Sequence, residues 1–162
     1  MENKIENYAG FWIRFLAWLI DNVVINTIMW ILILPLLGAL GLHFAALEEL
    51  QELETMDPDM IAPIVLSIVP GIITINLLVS WMYFALLQSS AKQATVGKMA
   101  LNLIVTDLNG DRLTFARASL RYFSKILSSA IFMIGYIMAA FTEKHQALHD
   151  LIANTYVIRK YP

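Results

Sequence analysis

No cysteine occurs in these 162 residues, which excludes disulfides, thiolate nucleophiles and cysteine metal sites. Charge is scarce: 15% of residues are Asp, Glu, Lys or Arg, against about a quarter in a soluble domain. What remains is apolar, at 59% of the chain with a mean hydropathy of +0.65. No internal repeat and no low-complexity linker is present, and the length suits one domain. The start does not read as a cleaved signal peptide. Its apolar run far exceeds the usual ~7–15 residues and follows one lysine and two glutamates.

Three apolar blocks organise the chain. The first, Phe11–Leu42, includes a twenty-residue stretch, Val23–Leu42, without a charge, which is spanning length. Pro35, Gly38 and Gly41 should kink or end its helix on the far side, and Tyr8, Trp12 and Trp18 suit an interfacial anchor. The second block, Met60–Leu87, is uncharged. The third, Ile126–Phe141, is short and reaches spanning length only with Ala118–Lys125. Ser128, Ser129 and Gly135 give it places to bend. A broken or re-entrant third element is therefore expected, returning residues 142–162 to the side of the N-terminus.

Charge in the connections sets a topology. His43–Asp59 carries six acidic residues and no Lys or Arg, and its leucine spacing suggests a surface amphipathic helix. Gln88–Arg117 carries Lys92, Lys98, Arg112 and Arg117 against Asp107 and Asp111. The positive-inside rule puts the second connection and the N-terminus in the cytoplasm. Within that connection, Leu101–Thr106 alternates apolar and polar residues, and Asn109-Gly110 offers a turn before Arg112–Phe115. The pattern predicts a small cytoplasmic β-hairpin over about 99–115, with Thr114 capping the helix that follows. The fold class expected is an all-α integral membrane protein with two firm transmembrane helices, a third broken or re-entrant one, and this hairpin.

Buried charge is the chief functional signal. Asp21 sits inside the first apolar block, seven residues beyond Arg14 and on the same helical stripe. A charge near mid-membrane costs roughly 2.5–3.5 kcal/mol on insertion scales, so it persists where it has a partner or a job. If the boundary lies near Phe11, Arg14 is shallow and Asp21 lies about 15 Å deep. On the third helix Arg121 is shallow and Lys125 deeper, which makes Lys125 the depth match for Asp21. Arg14 and Arg121 share a level and need an anion, for which Asp150 is the candidate. Asn22 and Asn26, Asn76 and Ser80, and Ser128 could line the same polar cavity.

The motifs resemble the RDD family of small membrane proteins across nearly the whole chain. The resemblance rests on Tyr8–Asp21, on Ala94-Thr-Val-Gly97-Lys98 followed by Leu103–Asp107 and Asn109-Gly110, and on Lys144–Thr155. It maps the family's arginine and two aspartates onto Arg14, Asp21 and Asp150, in a single domain covering 1–162. Ala153-Asn154-Thr155 departs from the pattern, where a glycine is common before the threonine. The resemblance implies transport, including cation/proton antiport, or association with membrane complexes.

Two function classes follow. One is a small monovalent cation/proton transporter in which Asp21 couples the proton. With about three spans it would act as a homo-oligomer, since carriers commonly use repeated halves. The other is a non-catalytic membrane module or assembly factor in which the charges lock helices together and partner proteins bind. For the Asn and Ser positions, interhelical hydrogen bonding competes with a lining role. His145 and His149 lack a third ligand, so no metal is expected, and Gly97-Lys98 lacks the rest of a phosphate loop. No Ser-His-Asp set or paired intramembrane carboxylates point to hydrolysis, so neither enzyme activity nor a cofactor is expected. The partners expected are the lipid bilayer, cations and protons, and no nucleic acid. The location expected is the plasma or inner membrane, multi-pass.

Overall fold

The computed structural model describes residues 7–49, 61–130 and 134–160. It is mostly helical, and its contacts fall into two compact units: Met1–Val24 with Ser80–Pro162, and Ile25–Val79.

Two long helices carry the apolar blocks. α1 runs over Phe11–Glu49 and α2 over Ile61–Ser89. Their segments Phe11–Ala39 and Ile68–Ser89 are long and apolar enough to cross a membrane, with mean hydropathies of 1.9 and 1.7. Large side chains along them stand open, with Trp30 60%, Ile31 67% and Leu66 71% exposed, which suits a hydrocarbon surround. Of the two outcomes expected at Pro35, Gly38 and Gly41, a kink or an end, the second does not occur: α1 continues to Glu49. A proline deletes one donor of the ladder, and the remaining bonds of a helix in apolar surroundings hold it. The acidic surface helix expected over 43–59 falls largely outside the described residues. Its first part, to Glu49, continues α1.

The polar elements belong to the first unit. α3 (Val96–Ala100) leads into β1 (Leu103–Asp107), and α4 (Phe115–Ala130) follows. α5 (Ile134–Ile137), a 3₁₀ turn (Met138–Ala140), α6 (Leu148–Ile152) and β2 (Thr155–Arg159) complete the order. The third apolar block is bent: the helical stretches Phe115–Ser129 and Ile134–Ala140 meet at 118°. Gly135 packs directly on Ser128, where an added Cβ would lie 2.8 Å from the serine side chain.

The predicted hairpin is replaced by a pairing distant in sequence. β1 pairs antiparallel with β2, Leu103 opposite Arg159 and Asp107 opposite Thr155. The turn at Asp107–Gly110 forms, with Asp107 Oδ1 accepting from the Asn109 and Asp111 N–H groups, both at 2.9 Å. Beyond it only one bridge, Thr106 to Arg112, joins the two arms. Arg112-Leu113 is too short to continue, because Thr114 caps α4 at once through the Arg117 N–H (3.3 Å). The N-terminal segment extends the sheet instead: Ala9 N–H donates to the Val157 carbonyl at 2.8 Å and Arg159 N–H to the Asn7 carbonyl at 2.9 Å.

A small core joins the sheet to the helix ends. Leu103, Val105 and Val157 are fully buried, packed with Ala9, Ala17, Ala85 and Ala118. The alanines let backbones approach closely. α4 is inverted in polarity. Arg121, Ser124 and Ser128 face inward at 2%, 7% and 0% exposure, whereas Leu120, Phe123, Ile126 and Leu127 point out.

Candidate functional site

Two buried carboxylates organise the interior of the first unit. Asp150 is fully buried on α6, whose short turn aims it inward. One oxygen accepts from Arg14 Nη1 and from the Ala147 N–H at 3.1 Å, the other from Arg121 Nε at 2.9 Å and from Arg121 Nη2. Arg121 spends its remaining nitrogen, Nη1, on the Gln88 side-chain oxygen at 2.6 Å. Arg14 donates to the Ala9 carbonyl through Nε at 2.7 Å and, more weakly, to the Val157 carbonyl. α1, α2, α4, α6 and β2 therefore meet at one carboxylate. Burial alone would raise the Asp150 carboxyl, but the guanidinium charges of Arg121 and Arg14 outweigh it and hold the group well below the usual range. Burial keeps the neighbouring His149 imidazole well below its ordinary value and so neutral.

Asp21 is 1% exposed and has a different set of partners. Tyr83 Oη donates to Oδ1 at 2.8 Å, the Gly97 N–H to the same oxygen at 2.7 Å, and Thr95 Oγ1 to Oδ2 at 2.6 Å. None of these donors is charged. The approach of α3 needs glycine at position 97: an added Cβ would fall 2.1 Å from the Ala17 carbonyl oxygen.

A cavity of about 370 Å³ opens between the two centres. Arg14, Asp21, Lys98, Arg121, Lys125 and His149 supply its polar wall, and Phe11, Phe15, Trp18 and Phe84 much of its apolar wall. Lys125 Nζ lies 3.9 Å from the centre of the Phe84 ring, a cation–π contact. Among the described residues no three His, Asp or Glu side chains group as metal ligands.

The structure thus brings Arg14, Arg121 and Asp150 into one ion-pair network, with Asp21 and Lys125 on the same cavity. Lys125 does not pair with Asp21. Hydroxyls and a backbone N–H reach that carboxylate first, and the lysine lies over an aromatic face. The expected polar lining is also redistributed. Asn22, Asn26, Asn76, Ser80 and Ser128 are not among the cavity-lining residues. Asn22 bonds the Trp18 carbonyl along its own helix at 2.9 Å, Ser80 is a partner of Tyr122, and Ser128 faces Ser124 and His149. Asn26 and Asn76 belong to the second unit. A polar side chain on a helix can be satisfied one turn back, so its presence on a stripe does not require a wet cavity.

Sequence reasoning missed Thr95, Gly97, Gln88 and Lys98. A signal for three of them existed in the Ala94-Thr-Val-Gly97-Lys98 segment, whose small residues permit the close backbone approach Asp21 needs.

The model of the RDD family matches residues 8–154. The chain belongs to the RDD family. Two relatives from Bacillus subtilis (strain 168) align along most of their length. The uncharacterized protein YxaI is 35% identical over 156 residues, covering 96% of this chain and all of the relative. The uncharacterized membrane protein YteJ is 31% identical over 165 residues, covering 94% of this chain and 82% of the relative. No solved structure matches. The family, the description of one relative as a membrane protein and the two helices long and apolar enough to cross a membrane together support membrane localisation for this RDD protein. The Arg14, Asp21 and Asp150 of the resemblance do not form one triad: the arginine pairs with the second aspartate, and the first aspartate fastens the Thr95–Gly97 segment.

Proposed function

We propose that this RDD protein is a non-catalytic membrane module, in which carboxylate clamps fasten a polar head to membrane-spanning helices so that it can bind a partner. The single observation that carries this reading is the internal satisfaction of Asp21. Three internal donors at 2.6–2.8 Å engage both of its oxygens and most of their roughly four acceptor sites, so a sodium or potassium ion would have to compete with bonds already made. The charge excess of the cavity points the same way, since a basic wall repels cations.

The Arg14–Asp150 clamp supports a shared side for the start of α1 and for α6. The basic connection between α2 and α4 favours the cytoplasm for that side. In this reading the location is the plasma membrane, and the third helical element enters and returns.

A second reading, monovalent cation/proton exchange by a homo-oligomer with Asp21 as the proton-coupling group, draws support from the position of that buried carboxylate on a cavity wall. Proteoliposomes decide between the two. The module reading expects no pH-driven sodium or potassium flux above empty liposomes. A flux that disappears in a folded, inserted Asp21→Asn variant would establish the transporter instead.

A further inference from the structure

The cavity wall holds more positive than negative charge. Arg14, Arg121, Lys98 and Lys125 surround it, against the carboxylates Asp21 and Asp150. Both guanidinium groups are committed to Asp150 and to carbonyl acceptors. The two ammonium groups are not: neither Lys98 nor Lys125 has an ion pair or a hydrogen bond to a described residue, and Lys98 is only 7% exposed. Burying an ammonium group without a counterion is costly, and two on one cavity repel each other as well. Burial pushes the Lys98 amine well below its ordinary value, and Arg121 and Lys125 push it further. An anion in the cavity would remove that penalty.

We propose that this cavity is a binding site for a phosphate-bearing anion, held directly by Lys98 and Lys125 and stabilised by the field of Arg14 and Arg121. The proposal deepens the module reading and rests on it. A volume of about 370 Å³ is far larger than a halide requires and lies in the range of small-molecule sites. Two ammonium donors beyond the paired charges match the one to two negative charges of a phosphate group. The apolar side of the cavity adds a second feature. Phe11, Phe15 and Trp18 line it from the start of α1, where Phe15 and Trp18 are each 44% exposed. A phosphate attached to acyl chains could place its head on the lysines and its tail along these rings. A free phosphate or a phosphorylated solute shares the same head chemistry.

The test uses the full-length protein in uncharged detergent, with melting followed by tryptophan fluorescence. Inorganic phosphate, dihexanoyl phosphatidylglycerol and zwitterionic dihexanoyl phosphatidylcholine are titrated separately. The expected result is a rise in melting temperature with phosphatidylglycerol, phosphate or both, and weakening of that binding by about tenfold or more in Lys98→Met with Lys125→Met. Without ligand Lys98→Met alone should melt no lower than the native protein, because it removes uncompensated charge, whereas Lys125→Met also gives up the Phe84 contact. Lys92→Met, at an exposed lysine, should bind as the native protein does. Stabilisation by phosphatidylglycerol alone assigns the site to a membrane lipid headgroup; equal competition by phosphate assigns it to a soluble phosphate. The proposal is overturned if neither anion shifts the melting temperature, if phosphatidylcholine acts as strongly as phosphatidylglycerol, or if the double variant responds undiminished. Cation flux in proteoliposomes would refute the module reading and leave this binding result standing, so the two failures are separable.

Discussion

Asp150 and Asp21 are both buried carboxylates in one unit, and they are satisfied in opposite ways. Asp150 is held by two guanidinium groups and sits in a centre with excess positive charge. Asp21 is held by two hydroxyls and a backbone N–H, so its own negative charge is balanced only through space. Charge-assisted bonds are stronger, but they leave behind buried ions when one partner goes. Neutral donors can turn, weaken or rotate away. The difference makes Asp150 the fastening that cannot be exchanged and Asp21 the one that tolerates a change of side chain.

Four substitutions break or sharpen that contrast. The largest loss is expected for Asp150→Asn, which strands Arg14 and Arg121 and should cost about 3–5 kcal/mol of stability. Chemical denaturation in detergent micelles measures it, and a loss no greater than that of Asp21→Asn would erase the distinction. Gly97→Ala comes next. Its methyl group meets the Ala17 carbonyl, and the strain of moving α3 away should cost about 1–3 kcal/mol while leaving the Asp150 pairs intact. Trimming Ala17 cannot relieve it, since the clash is with backbone.

Asp21→Asn should cost less, about 1–2 kcal/mol, because the amide oxygen still accepts from Tyr83 and Gly97 while the Thr95 hydroxyl can rotate to accept from the new amide. Combining it with Thr95→Val removes that accommodation and should make the losses more than additive.

The smallest effect is at Lys98, and it has a pH signature. Its folded value is depressed, so the folded state binds fewer protons than the unfolded chain, and stability falls as pH drops below the unfolded value of about 10.4. In phosphate-free buffer Lys98→Met should therefore melt slightly above the native protein near neutrality. The gap should close as pH rises towards about 10. A gap that widens with pH would contradict uncompensated burial of Lys98.

How much of this was legible before the fold was known depends on the range of the interaction. The two long apolar helices followed from the length of their apolar runs, and the bend in the third from Ser128, Ser129 and Gly135. Arg14, Arg121 and Asp150 could be associated by asking which shallow cations lacked an anion. The donors on Asp21 could not, because Thr95 and Gly97 act through a hydroxyl and a backbone N–H that carry no charge to flag them. The hairpin reading failed for a related reason. Alternation over Leu101–Thr106 identifies a strand but not its partner, and β2 lay about fifty residues away. Local turn signals favoured the nearest segment, whereas Thr114 started a helix and removed that segment from competition.

The antiparallel pairing of β1 with β2, and the Arg14–Asp150 bond across 136 residues of sequence, carry a consequence for biogenesis. Arg14 and Asp21 leave the ribosome first, and the carboxylate that neutralises Arg14 follows roughly ten to thirty seconds later at ordinary synthesis rates. During that interval the first helix carries an unmatched arginine at its start, and Arg121 later joins it in the same condition. The polar head can close only after the final strand has emerged, so a chain halted before Asp150 exposes two stranded cations.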